Sequence, residues 1–287
     1  MSKLAIVTDS CASIPDGLIK KLGIEWVPYY IHRGREVLRD LVTAQTDTFY
    51  EWMRSANTLP TTAAPGPGDY LAKYQALTER GVREIISVHM TSKGSGAYQA
   101  AVTAKEMLLD KVPGLKIDVI DTLNVAMCHG WIAVEAARDA LAGSSRADIL
   151  QHIKAMKPRV HMAQTADTLR YLALGGRIGR ATQLVGSLLN IKPIIGMEQG
   201  EIVALGKARS RSRAYDQIAG FVEKAAAGFS KIKAAFVHAA APEEAERLHQ
   251  LVEARVNCAE SLIAELSPAL GVHSGPGTVG ICYLLIP

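Results

Sequence analysis

EIISVHMTSKGSGAYQAAVTAKEMLLDKVPGLKIDVID, residues 84–121, places a short apolar run from Glu84 to His89 before a polar, glycine-bearing segment. A helical pattern from Ser95 to Leu109 follows, then a second apolar run from Lys116 to Asp121. Strand, helix, strand in that order is the unit of a parallel sheet with right-handed crossovers. The same rhythm extends toward the N-terminus: Leu4 to Thr8, an amphipathic stretch from Pro15 to Lys21, Glu25 to Ile31, and a helix from Asp69 to Glu79. Residues 1–157 therefore read as a doubly wound α/β domain with a mostly parallel sheet. Within it, residues 25–66 look like a small excursion. Arg33-Gly34-Arg35 can turn a hairpin, residues 46–55 pattern as a helix, and Leu59 to Gly68 is a Pro- and Gly-rich loop.

Toward the C-terminus come two helical stretches, Ala126 to Leu141 and Arg146 to Met156. Lys157-Pro158 then breaks the pattern. We set the domain boundary there, with a second α/β domain over 158–287. The second domain starts with a strand at Val160 to Gln164 and helical turns over residues 167–189. A hairpin follows, Pro193 to Met197 and Ile202 to Leu205 about Glu198-Gln199-Gly200, so its sheet is expected to be mixed. Helix Arg213 to Ala225, strand Ala234 to His238, helix Pro242 to Val256, strand Ser261 to Glu265 and the apolar Val279 to Ile286 complete it. No internal repeat or low-complexity tract interrupts this order.

At 287 residues, 48% hydrophobic and 21% charged, the chain has apolar content for a sizeable core, which excludes a disordered or disulfide-stapled class. A net charge of +4 announces neither a nucleic-acid nor a membrane surface. Cys11, Cys128, Cys258 and Cys282 show no CxxC or CxxH spacing, so neither a zinc site nor a disulfide framework is suggested and a reducing cytoplasm fits best. The chain enters its first strand directly after Met1-Ser2-Lys3, without the pattern of a signal peptide. No apolar run reaches the roughly 18 residues of a membrane span.

Six features could carry chemistry, and each has a plain structural alternative. Thr8-Asp9-Ser10 ends the first strand, where open α/β sheets bind ligands, but these are also ordinary turn and cap residues. Thr91-Ser-Lys-Gly-Ser-Gly96 could cradle an anion at a helix start, or simply cap that helix; it lacks P-loop spacing. Thr61-Thr62 presents two hydroxyls after Pro60, or leaves them solvated. Gly175-Gly176-Arg177-Ile178-Gly179 sets an arginine between glycines, as a site or as a helix end. Lys207 to Arg213 is an anion patch or a solvated face; no aromatic interleaves it, so nucleic-acid binding is not expected. His273-Ser-Gly-Pro-Gly277 holds a histidine in a glycine-rich turn before the last strand. HExxH and GxSxG are absent, so metalloenzyme and serine-hydrolase readings have no motif behind them.

Taken in order, Ala5-Ile-Val-Thr-Asp-Ser10, Pro60-Thr-Thr-Ala-Ala-Pro65, Ser92-Lys-Gly-Ser-Gly-Ala-Tyr98, Gly175-Gly-Arg-Ile178, Gly186-Ser-Leu-Leu-Asn-Ile-Lys-Pro193 and His273-Ser-Gly-Pro-Gly277 resemble the DegV family along the whole chain. The resemblance implies a bacterial fatty-acid-binding protein of two α/β domains with a long-chain fatty acid buried between them. It also implies a partner: an ATP-dependent fatty acid kinase subunit that phosphorylates the bound carboxyl group to an acyl phosphate for phospholipid synthesis. The binding protein itself is then no enzyme and needs no cofactor. Carried over onto matching positions, the carboxylate is held by Thr62, Ser95, Gly96 and His273, and Arg177 and Arg209 stand near the ligand mouth. The sequence departs from the common pattern at Ala63-Ala64, Gly94 and Ser274. The competing reading is a stand-alone α/β enzyme acting on a small phosphorylated or carboxylated metabolite through Asp9, Ser95 and His273.

Overall fold

A computed structural model describes residues 4–56, 58–187 and 191–287. β1 (Leu4–Asp9) leads through α1 (Asp16–Leu22) to β2 (Glu25–Val27), paired parallel with Val7 opposite Glu25. The run 25–31 is not one strand. Pro28 has no N–H to give a ladder, the chain leaves the sheet there, and the Tyr29 N–H goes to the Ser10 hydroxyl at 3.0 Å. β3 (Tyr30–Arg33) and β4 (Glu36–Arg39) form the expected hairpin about Gly34, whose φ of 63° suits glycine. After α2 (Thr46–Ser55), β5 (Thr61–Ala63) pairs with β3 to complete a separate three-stranded sheet, ordered β4-β3-β5. The segment expected to be loop thus contains a strand, which sets Thr62 opposite Ile31.

α3 (Pro67–Glu79), β6 (Glu84–His89), α4 (Ala97–Leu109) and β7 (Lys116–Asp121) complete a parallel sheet in the order β2-β1-β6-β7. From Ile85 to His89, β6 is buried throughout, as a parallel strand covered on both faces must be. α3 packs on α4, while α5 (Met127–Leu141) crosses β1 and meets α1. Everything from Met127 to Ala137 on α5 is buried. α6 (Arg146–Met156) begins at Ser145, whose hydroxyl accepts from the Asp148 N–H.

β8 (Val160–Thr165) and α7 (Arg170–Leu174) precede a 3-10 stretch at Gly179–Ser187. Leu188 and Leu189, expected to be helical, and the Leu188 to Asn190 part of the motif at 186–193 lie outside the described residues. β9 (Lys192–Glu198) and β10 (Glu201–Ala208) form the anticipated hairpin. α8 (Arg211–Ala226), β11 (Lys231–His238), α9 (Pro242–Glu253), β12 (Cys258–Glu265), α10 (Pro268–Ser274) and β13 (Val279–Ile286) follow. The six-stranded sheet runs β10-β9-β8-β13-β11-β12 and is mixed: β11 and β12 are parallel, the other pairs antiparallel. The short helix α10 departs from the sequence expectation, because His273 stands in its last turn rather than in a glycine-rich loop. Ser267 caps α10 by accepting from the Leu270 N–H, and Pro268 occupies the first helical position, where a missing N–H costs nothing.

One apolar cluster runs from Ile6, Ile85 and Trp131 to Ala235, Cys282 and Leu284 of the six-stranded sheet. Trp131 is fully buried and its indole N–H donates to the Cys282 carbonyl at 3.1 Å. A second cluster, including Ile218, Phe236 and Leu248, lies where α8 and α9 cover that sheet.

Candidate ligand-binding site

Between the carboxyl ends of the parallel strands and the face of β8 and β9 lies a cavity of about 350 Å³. Met90, Val125, Met162, Ile195, Met197 and Leu270 make much of its wall apolar. Thr62, Ser95, Gly96, His273 and Arg177 all line it too, brought together from β5, the start of α4, α10 and the segment after α7. Arg209 is not among the described lining residues. It is exposed in the turn between β10 and α8. The basic run around it is divided, since Arg211 turns inward to Asp167 at 2.7 Å and to the Gly277 carbonyl at 2.9 Å.

α10 is anchored from far along the chain. Its Ala269 N–H donates to Asp40 at 3.0 Å, the preceding Ser267 N–H donates to the Ser13 hydroxyl at 3.0 Å, and Tyr50 donates to the Leu266 carbonyl at 2.8 Å. His273 then meets Thr62, with Nε2 and Oγ1 2.7 Å apart. Gly175 permits this approach: a Cβ there would lie 2.3 Å from His273 Nδ1. Burial, aided by the positive charge of Arg177, lowers the His273 pKa to about 4, so the ring is neutral at pH 7. Its Nδ1 is buried without a partner among the described residues. The tautomer protonated at Nε2 fits best, because it leaves Nδ1 as a bare acceptor facing a glycine and gives Thr62 a hydrogen bond. The Thr62 proton is then free for a third group.

Ser95 is prepared in the same way. Its Oγ accepts from the Ala97 N–H at 3.2 Å and lies 2.6 Å from the Tyr29 hydroxyl. With Tyr29 donating, the Ser95 proton is also free. Burial, with the nearby Asp9 charge, holds the Tyr29 phenol well above its ordinary range, so it remains a donor. The Ser95 and Gly96 N–H groups have no acceptor among the described residues and sit at the positive end of α4. The Arg177 guanidinium is fixed by the Gly94 and Gly175 carbonyls, each at 2.9 Å, and has no carboxylate partner among the described residues. Two hydroxyl donors, free backbone N–H groups and a fixed cation at the mouth of an apolar cavity suit one anionic head on an apolar tail.

Thr8-Asp9-Ser10 serves a different end. Thr8 donates to the Val88 carbonyl, and Ser10 holds the Tyr29 backbone. Asp9 is buried and does not line the cavity. Burial alone would raise its pKa, but His129 and His89 outweigh this and hold it below the ordinary carboxylate range. The acid–base trio Asp9, Ser95 and His273 is therefore not assembled around one space. Tyr29, which the sequence reading passed over, is the added member of the site; its only local signal is Pro28, which breaks the strand just before it.

A model of the family described as "Uncharacterised protein, DegV family COG1307" matches residues 3–285. The chain belongs to the DegV family. Among DegV relatives, a DegV domain-containing protein of Halalkalibacterium halodurans is 32% identical over 285 residues, 99% of either chain. A solved structure on fatty acid binding of a DegV family protein from Thermus thermophilus superposes with a TM-score of 0.93 at 28% identity, covering 100% of both chains. DegV of Bacillus subtilis, described as a fatty acid binding protein, superposes with a TM-score of 0.88 at 30% identity, covering 99% of this chain and 100% of the other. The α/β fold with one parallel and one mixed sheet is that of the DegV fatty-acid-binding structures.

Proposed function

We propose that this protein carries one long-chain fatty acid, its acyl chain in the cavity and its carboxylate hydrogen-bonded by Thr62, Ser95 and the Gly96 N–H, with His273 holding the Thr62 hydroxyl in place. Two domains, 1–157 and 158–287, then hold the ligand between them. The observation that carries this reading is the set of donors, two hydroxyls with free protons and a helix start, at one end of an otherwise mainly apolar cavity. The description of the Thermus thermophilus and Bacillus subtilis relatives as fatty acid binding supports it. Burying roughly 15 methylenes at about 0.8 kcal/mol each gives about 12 kcal/mol before ordering costs, so the tail supplies affinity and the head group supplies position.

The carrier works in the cytoplasm as the acyl-presenting partner of an ATP-dependent fatty acid kinase, with no chemistry of its own. Arg177, fixed by two carbonyls and without a carboxylate partner among the described residues, meets the phosphate as its charge appears on the carboxyl group. Arg209, exposed and outside the cavity, faces the kinase. No helix among the described residues is long and apolar enough to cross a membrane. The test is to denature the purified protein and analyse the organic extract by mass spectrometry. About one fatty acid per chain is expected; an empty extract from protein that also fails to take up added palmitate would refute the reading.

A further inference from the structure

A carboxamide stands in the apolar wall. Gln164 on β8 is 6% exposed, lines the cavity, and takes part in none of the hydrogen bonds of the described residues through its side chain. Its neighbours on the same face are apolar: Met162 two residues back along β8, and Ile195 opposite it on β9. Ala163, between Met162 and Gln164, points to the other side and joins the cluster beneath α8. A second group is in the same condition, for the Ser274 hydroxyl is buried, lines the cavity and has no partner among the described residues. The two are joined by a tight return. Thr278 donates to the Ser274 carbonyl at 2.8 Å, and β13 then runs beside β8 with Gly280 opposite Gln164. Gly280 admits this packing, since a Cβ there would lie 2.8 Å from both Cα and Cβ of Gln164.

A plain alkyl chain filling this space would seal an amide and a hydroxyl away from water with nothing to bond, a costly arrangement that leucine or methionine at position 164 would avoid. Gln164 offers both a donor and an acceptor, and a hydroxyl group needs both. We infer that the preferred ligand is a hydroxylated long-chain fatty acid whose chain hydroxyl is hydrogen-bonded by Gln164 and Ser274. The inference rests on the fatty-acid reading above and narrows its substrate class.

The test uses lipid-stripped full-length protein given equal amounts of palmitic acid and each monohydroxypalmitic acid in a positional series. The protein is then repurified and extracted for mass spectrometry. At least one positional isomer is expected to be retained roughly tenfold over palmitate, the ratio one net hydrogen bond supplies. Gln164→Leu and the volume-matched Gln164→Met should reverse that preference, with Ser274→Ala giving a smaller shift. Three results overturn the inference alone: palmitate retained as well as every isomer, a preference unchanged in both Gln164 variants, or both acids weakened alike by them. The last would place Gln164 at the carboxylate instead. Folded wild-type protein that retains neither palmitate nor any isomer overturns the fatty-acid reading and this inference with it. The wild-type competition decides the matter even if a variant fails to fold.

Discussion

Alanine in place of Gly175 tests whether the position of His273 matters more than its presence. Gly175 has φ −77° and ψ −2°, so alanine suits the backbone and only contact is at stake. The new Cβ would lie 2.3 Å from His273 Nδ1 and 3.0 Å from the Tyr171 carbonyl, about 1 Å inside ordinary van der Waals contact with the ring. Tyr171 accepts from the Gly175 N–H at 2.9 Å, so the imidazole is the part that must move. It cannot retreat directly, because Thr62 stands 2.7 Å from its far nitrogen; it must swing aside and give up that hydrogen bond. Overpacking of this kind costs about 1–3 kcal/mol of stability, several degrees of Tm for a chain of this size. Bound fatty acid should persist, since tail burial exceeds that loss several-fold. Acyl-phosphate formation with a cognate kinase should fall on the order of a hundredfold, the usual consequence of moving a reacting group by about 1 Å. Gly220→Ala on α8, where the Cβ meets nothing within 4 Å, is the control and should gain about 0.5–1 kcal/mol. Calorimetry, lipid content and kinase turnover on the same preparations give the answer. Wild-type Tm and turnover in Gly175→Ala would refute the reasoning.

Two further outcomes follow from charge. Burial, opposed by the Ser10 hydroxyl and the Ala269 N–H, pushes the Asp40 pKa up to about 6, so the folded state binds the extra proton between the ordinary 3.8 and 6. Stability attributable to Asp40 therefore falls as pH rises through that window, by about 3 kcal/mol. His273, depressed to about 4, acts in the opposite sense and loses stability as pH falls from 6.5. Urea unfolding should accordingly show Asp40→Asn gaining on wild type at pH 7 but not at pH 4; an equal difference at both would contradict the assignment. Arg177→Ala should leave lipid content unchanged, lower acyl-phosphate formation, and raise the His273 pKa by removing the nearby positive charge. An unmoved imidazole resonance titration would place Arg177 elsewhere.

The long apolar runs and amphipathic helices were legible in sequence because burial imposes a period on them, and the hairpin over 192–208 had Gln199-Gly200 to mark its turn. Strand order was not legible, since nothing local says which strand β13 pairs with. β5 was missed because three residues are too few to show a period, and α10 because PALGVHS has no polar face and runs into Gly275-Pro276-Gly277. Ser267-Pro268 was a usable cap signal all the same. Of the site, Thr62, Ser95, Arg177 and His273 could be named as types, but only the family resemblance joined them. Asp9 looked like a ligand group because strand ends often bind; in the structure two histidines and the Cys11 N–H claim its oxygens.

The stitches that hold α10 connect residues far apart in sequence: 254 positions separate Ser13 from Ser267, 229 separate Asp40 from Ala269, and 211 separate Thr62 from His273. Such contacts form late, after the loop-closure entropy of nearly the whole chain has been met. A nascent chain emerging from the ribosome therefore cannot assemble the head-group site until α10 is free. Binding competence waits on α10, and a fragment ending before it cannot hold a ligand in the same way.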